Sequence, residues 1–219
     1  KDGDLITLYT AENEKDEAFY IVKQIDQILG SNPQDTISVL YRTNAQSRNM
    51  EEALLKAGYP YKLVGGMRFY ERKEIKDIVA YLRLIQNQKD TLSLIRIINT
   101  PRRGIGPKVV EGLSDKAIEL KCKPGELFLK EDVELDKKIR SFSTLLNSFI
   151  EKSKELNVVD LLKYVLDRTE YIKYIDDGTD EAKSRIENIR ELGTVASRYI
   201  SLKPEDSLRE FLSDISLIE

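Results

Sequence analysis

The sequence predicts an α/β segment followed by an all-α region, mainly helical overall. Three observations carry that prediction. β-prone runs alternate with helical stripes as far as about Tyr70, no convincing strand follows, and a series of amphipathic stretches fills the rest. The boundary is placed near Tyr70, giving regions 1–70 and 71–219.

Leu5-Ile6-Thr7-Leu8-Tyr9 reads as a first strand with both faces partly covered. A helix from about Glu14 to Leu29 follows, its stripe formed by Ala18, Ile21, Val22, Ile25, Ile28 and Leu29 at spacings of three and four. Gly30-Ser31-Asn32-Pro33 stops it. Ile37-Ser38-Val39-Leu40-Tyr41 is a second strand, and Asn44 or Ser47 caps a helix running to Lys56. Gly58-Tyr59-Pro60 breaks that helix, and Tyr61-Lys62-Leu63-Val64 forms a third strand ending at Gly65-Gly66. Strand–helix–strand–helix–strand implies an incomplete parallel sheet of βαβ units. Three strands are few for such a sheet, and the chain opens on Lys1 rather than Met, so a piece of a longer protein is expected.

The second region reads as helices over 71–87, 91–98, 107–121, 139–154, 158–168, 181–199 and 205–217. Pro107 opens one of them, at a position where a missing N–H costs nothing. Asp176-Asp177-Gly178-Thr179-Asp180 is a polar loop.

Composition narrows the chemistry. Of 219 residues, 41% are hydrophobic and 33% charged, a globular balance. No apolar run approaches the ~20 residues of a membrane span, and no leader is visible, so a cytoplasmic location is expected. There is no histidine, which removes the usual general base and the commonest metal ligand. The single cysteine, Cys122, forms no internal disulfide and fits a reducing compartment. The net charge of −3 means that any nucleic-acid contact must come from local positive patches. No Gly-x-x-x-x-Gly-Lys-Ser/Thr phosphate loop is present. No nucleophile stands beside a base, and the acids at Glu131, Asp132, Glu134 and Asp136 read as a solvated helix start. The fragment itself is expected to hold no catalytic residue, metal or cofactor.

Three segments are candidates for binding. Tyr41-Arg42-Thr43-Asn44-Ala45-Gln46-Ser47-Arg48 opens a helix at a predicted strand end, combining cationic forks with neutral hydrogen-bonding groups. It suits a phosphodiester backbone, or equally an N-cap with solvated arginines. Asn99-Thr100-Pro101-Arg102-Arg103-Gly104-Ile105-Gly106-Pro107-Lys108 joins two helices through Gly-Ile-Gly. Arg96, Arg102, Arg103 and Lys108 surround the bend, with no acid between Asp90 and Glu111. This is the local pattern of a helix-hairpin-helix, whose contacts to phosphates position a duplex without reading bases; the alternative is a tight turn between packed helices. The third segment, Val64-Gly65-Gly66-Met67-Arg68-Phe69-Tyr70-Glu71-Arg72, offers Gly65 and Gly66 as a hinge, while Phe69 and Tyr70 either stack on bases or pack inside.

In order, the stretches 39–48, 65–77, 81–85, Thr100-Pro101-Arg102-Arg103-Gly104-Ile105-Gly106 and Ser184-Arg185-Ile186-Glu187-Asn188 resemble the UvrD/PcrA/Rep family of superfamily 1 DNA helicases across essentially the whole chain. The resemblance implies that residues 1–70 are part of the second RecA-like motor domain (2A) and residues 71–219 most of its helical 2B insertion. It places Arg42, Asn44 and Arg48 in a single-strand-contacting motif. It places Thr100, Arg102, Arg103, Gly104, Ile105, Gly106 and Lys108 where the insertion meets duplex DNA. The parent it implies is a bacterial, nucleoid-associated 3′-to-5′ helicase of repair and replication that uses ATP and Mg²⁺, with its ATPase site outside this chain. Repair or transcription proteins are possible partners. The remaining readings are a protein-interaction module, a piece of a related helicase–nuclease and, with least support, an independent enzyme.

Overall fold

A computed structural model describes residues 5–64, 67–130 and 132–218. The chain divides into two compact units, Lys1–Phe69 and Tyr70–Glu219.

The first unit is built on two packed helices, α1 (Glu14–Ser31) and α2 (Ser47–Lys56). Asn13 starts α1: its side chain accepts from the Lys15 and Asp16 amides at 3.0 Å each, satisfying two otherwise orphaned donors. Glu14, Asp16 and Glu17 in the first turn complement the positive end of the helix. Tyr9 stacks on Tyr20 at 3.8 Å between centroids, and its hydroxyl donates to Asp16. Tyr59 closes onto α1 through a 2.6 Å bond to Asp26.

The predicted parallel sheet is not there. No strand occurs among the described residues, and the three runs expected as strands are irregular. Their apolar side chains stand in solvent: Leu5 is 96% exposed, Ile6 99%, Leu40 93% and Val64 86%. The reason is physical. β-propensity measures how well a side chain fits a pleated, half-buried surface made by neighbouring strands, and no ladder forms to supply that surface in this chain. The described residues are therefore helical throughout, with irregular connections.

The second unit gathers around α3 (Lys73–Gln86), whose Ile75, Ile78, Val79, Tyr81, Leu82, Leu84 and Ile85 are all buried. A helix apolar nearly all round belongs at the centre of a domain. Against it pack α4 (Thr91–Ile97), α6 (Lys137–Ser153), α7 (Val158–Thr169), α9 (Asp180–Ala196) and α10 (Pro204–Ile218). Between α4 and α6 run α5 (Pro107–Glu119) and the 3₁₀ turn Pro124–Leu129. The short α8 (Tyr171–Ile175) follows α7 through Glu170, which takes a left-handed conformation (φ 52°).

The few polar groups on the buried face of α3 are bonded. Asp77 accepts from Arg96 Nε and from the Tyr171 hydroxyl, both at 2.7 Å. Glu74 accepts from Asn188 Nδ2 at 2.6 Å, and the Asn188 carbonyl accepts from Arg72 at 2.8 Å. Burial, then the neighbouring Asp77 charge, pushes the Tyr171 hydroxyl far above its ordinary range, so it stays a donor. Among the described residues no helix is long and apolar enough to cross a membrane.

Candidate nucleic-acid interface

The bend between α4 and α5 is shaped by groups that face inward. Ile105 is buried and anchors it. Asn99 Oδ1 accepts from the Arg103 amide at 2.8 Å and the Ile105 amide at 3.2 Å, pinning the chain on both sides of Gly104. The Arg103 guanidinium turns back under the loop. Its Nη1 donates to the carbonyls of Ile97, Ile98, Thr100 and Pro101 between 2.9 and 3.3 Å, and its Nη2 donates to the Tyr81 hydroxyl at 2.6 Å. These include carbonyls at the end of α4 that have no helical partner. The guanidinium also lies 5.1 Å from the Phe142 ring centroid. The Tyr81 hydroxyl passes the bond on to the Thr100 carbonyl; burial pushes its pKa up to about 12 although Arg103 pulls the other way.

Of the four cations expected around the bend, two are committed inward: Arg103, as above, and Arg96, paired with Asp77. Arg102 and Lys108 are exposed, as is Gly104. A further cation, invisible at loop distance in the sequence, arrives from α6: Lys138 Nζ donates to the Gly104 carbonyl at 2.9 Å. Only a fold that brings the first turn of α6 to the loop reveals it. The two glycines also differ. Gly104 has φ +70°, where an L side chain is strained, and a Cβ there would stand 3.1 Å from Lys138 Nζ. Gly106 is extended (φ −84°, ψ 172°), and a Cβ added to it would meet nothing within 4 Å. Gly106 caps α5 with no side chain of its own. Among the described residues the amides of Gly104, Gly106 and Lys108 have no hydrogen-bond partner. Unsatisfied amides at the start of a 13-residue helix, flanked by Arg102 and Lys108, form a concave donor set suited to an anion.

The Tyr41–Arg48 segment is arranged differently. Gln46 Oε1 accepts from the Arg42 and Thr43 amides at 3.0 Å each, closing the turn before α2. Arg42 is exposed. Arg48 is only 2% exposed, and its Nη1 donates to Glu52 at 2.6 Å. The side chain of Asn44 lies outside what the structure describes, and so do Gly65 and Gly66 with the hinge expected there. Phe69 and Tyr70 are buried, so neither ring is presented for stacking. No group of three or more metal-ligating side chains occurs among the described residues, so no step through Mg²⁺ is assigned to them.

The sequence matches the family described as UvrD-like helicase C-terminal domain over residues 1–219. The chain belongs to the UvrD-like helicase C-terminal domain family. Relatives of this UvrD-like domain include proteins named ATP-dependent DNA helicase PcrA. The Staphylococcus epidermidis protein is 40% identical over 225 positions, covering 99% of this chain. The Staphylococcus aureus protein is 39% identical over 226 positions, again covering 99%. The chain spans 31% of the length of each of these relatives.

Proposed function

We propose that this UvrD-like domain is the DNA-holding portion of an ATP-dependent 3′-to-5′ DNA helicase, acting in repair or replication, whose ATP- and Mg²⁺-binding site lies elsewhere in the parent protein. Residues 71–219 are the 2B insertion that meets the duplex, and residues 1–70 belong to the second motor domain. The observation that carries this reading is the Gly104 bend, where three unsatisfied amides and the outward Arg102 and Lys108 share one surface. The name that the staphylococcal relatives carry supports it.

Chemically, the bend is a clamp and not a reader. Backbone amides and cations bond phosphate oxygens whatever the base, so the grip tolerates any sequence as a translocating motor requires. Thr100, Arg103 and Ile105 serve it from below: they fix the loop so that Gly104 and Gly106 face outward. Lys138 adds its charge beside Gly104. In the first unit, Arg42 is the outward contact to the single strand, next to Asn44, while Arg48 orders the start of α2 through Glu52. The location that goes with this reading is the bacterial cytoplasm, on the nucleoid.

The test is a titration of labelled junction, duplex and single-stranded DNA at about 50 and about 200 mM salt, a range over which phosphate binding falls steeply. Arg102→Glu with Lys108→Glu is expected to weaken junction and duplex binding at least tenfold and to reduce the salt slope by about two. Junction and duplex binding that is indifferent to both substitutions would overturn the assignment.

A further inference from the structure

A cavity of about 360 Å³ lies in the second unit, between α6 and the segment 128–135. It has no part in the Gly104 bend. One long side is a single stripe of α6 carrying Arg140, Ser143, Asn147, Ile150 and Glu151. The opposite side carries Phe128, Lys130, Val133 and Leu135. Its walls combine aliphatic surface with charge at both ends, and its volume lies within the range of small recognition pockets.

One atom in it is unexplained. Asn147 Oδ1 is buried and has no hydrogen-bond partner, the sole such side-chain atom among the described residues. Its orientation is fixed, because the amide nitrogen of the same side chain donates to the Phe128 carbonyl at 2.9 Å. Turning the amide over would set two acceptors against each other. A buried acceptor left unmade costs about 1–3 kcal/mol, so such an atom calls for a donor from outside the chain.

We propose that this groove is a docking site for a short extended segment of a partner protein, which donates a backbone N–H to Asn147 and sets charges of opposite sign at the two ends. The spacing along α6 defines the segment. Arg140 precedes Asn147 by seven residues, roughly 10 Å of helix, and Glu151 follows it by four, roughly 6 Å. An extended chain advances about 3.3 Å per residue. The fitting segment therefore carries an acidic residue about three positions from the amide donor, facing Arg140 and Lys130, and a basic residue about two positions to the other side, facing Glu151. Between them an apolar side chain rests on Val133 and Ile150. Both end charges are free to exchange partners. Arg140 reaches the Val133 carbonyl only at 3.5 Å, and Glu151 holds Lys154 in an exposed pair of the kind that contributes little.

A nucleic-acid strand fits this groove less well. Glu151 would face its phosphates, and the only aromatic ring, Phe128, is 4% exposed and turned edge-on to Phe142, leaving no face for a base.

The experiment is a two-dimensional amide NMR titration of the 219-residue chain with two acetylated, amidated hexapeptides, Glu-Ala-Ala-Leu-Ala-Lys and Lys-Ala-Leu-Ala-Ala-Glu. Together they cover both chain directions. A thymidine trinucleotide is the third probe. One hexapeptide is expected to give saturable shifts confined to Phe128, Val133, Asn147 and Ile150. Asn147→Leu should abolish them, and Arg140→Glu should weaken them about tenfold. Arg102→Glu should leave them unchanged, which separates this site from the DNA-holding bend. Should Asn147→Leu lose its dispersed spectrum, Thr144→Tyr on the exposed rim blocks the groove instead. The proposal is overturned if neither peptide gives saturable shifts up to millimolar concentration, if the shifts survive the blocking variants, or if the trinucleotide produces them in place of the peptides.

Discussion

Arg102 and Arg103 are neighbours with opposite predicted roles, and replacing each with Met separates them. Arg103 donates from two nitrogens to four carbonyls and a hydroxyl. Nη1 has two protons to share among its four acceptors, so with Nη2 the side chain makes about three effective bonds. Charge-assisted bonds contribute about 1.5–3 kcal/mol each, and the Tyr81 and Phe142 faces add about 0.5–1 kcal/mol each. The loop is half-exposed and water can reach the carbonyls once the guanidinium is gone, so the sum is discounted to a loss of about 3 kcal/mol. For a chain of this size that lowers the melting temperature by about 6–12 °C. Arg102→Met removes an exposed side chain, so its stability change stays within about 0.5 kcal/mol. Its DNA affinity falls and the salt slope drops by about one. Thermal melts followed by circular dichroism, with fluorescence anisotropy on a junction, read both quantities from the same samples. If Arg103→Met melts with the wild type while Arg102→Met does not, the inward bonds of Arg103 are not what holds the loop, and the reasoning fails.

The two glycines part in the same manner. Gly104→Ala forces a Cβ into a left-handed residue beside Lys138 and is expected to cost about 1–2 kcal/mol, whereas Gly106→Ala should melt within about 1 kcal/mol of wild type yet bind duplex more weakly, its methyl standing where a phosphate approaches. Asp77→Asn leaves Arg96 without its counter-charge, so urea unfolding should shift by about 2 kcal/mol, less than for a fully buried pair because Arg96 is partly exposed. Alkaline pH supplies a fourth check. The folded-state pKa of Tyr81 is raised from 10.0 to about 12, so its contribution is fully present below pH 10 and lost as pH rises toward 12. The urea midpoint should hold steady to about pH 10 and then fall by about 1.4 kcal/mol per pH unit for this residue. Tyr81→Phe should flatten that decline, and an unchanged slope in the variant counts against the burial of this hydroxyl.

The helices were largely legible because their apolar stripes and caps are local. The stripe through Ile75, Ile78, Val79, Leu82 and Ile85 and the proline at the start of α5 place their helices to within a few residues. The short α8 and the turn at Pro124–Leu129 escaped, being too brief to show a period. The strands failed for the opposite reason: strand formation depends on partners distant in sequence, and Leu5, Leu40 and Val64 look the same in a string whether or not a ladder exists. At the Gly104 bend the residue types were readable but their directions were not. Nothing in Arg102-Arg103 says which side chain turns inward; that is decided by the carbonyls ending α4 and by Tyr81 beneath. Lys138 and Asn147 acquire meaning only when α6 is laid against segments far from it in sequence.

The inward turn of Arg103 carries one more implication. Every acceptor it meets is a carbonyl, a hydroxyl or a ring, none of them a carboxylate, so its charge is held in place without being cancelled. Arg96, by contrast, is neutralised by Asp77. With a screening length of about 10 Å at moderate ionic strength, an approaching polyanion is still drawn by a side chain it never touches. In a molecule of net charge −3, that hidden cation steepens the local attraction and favours rapid capture.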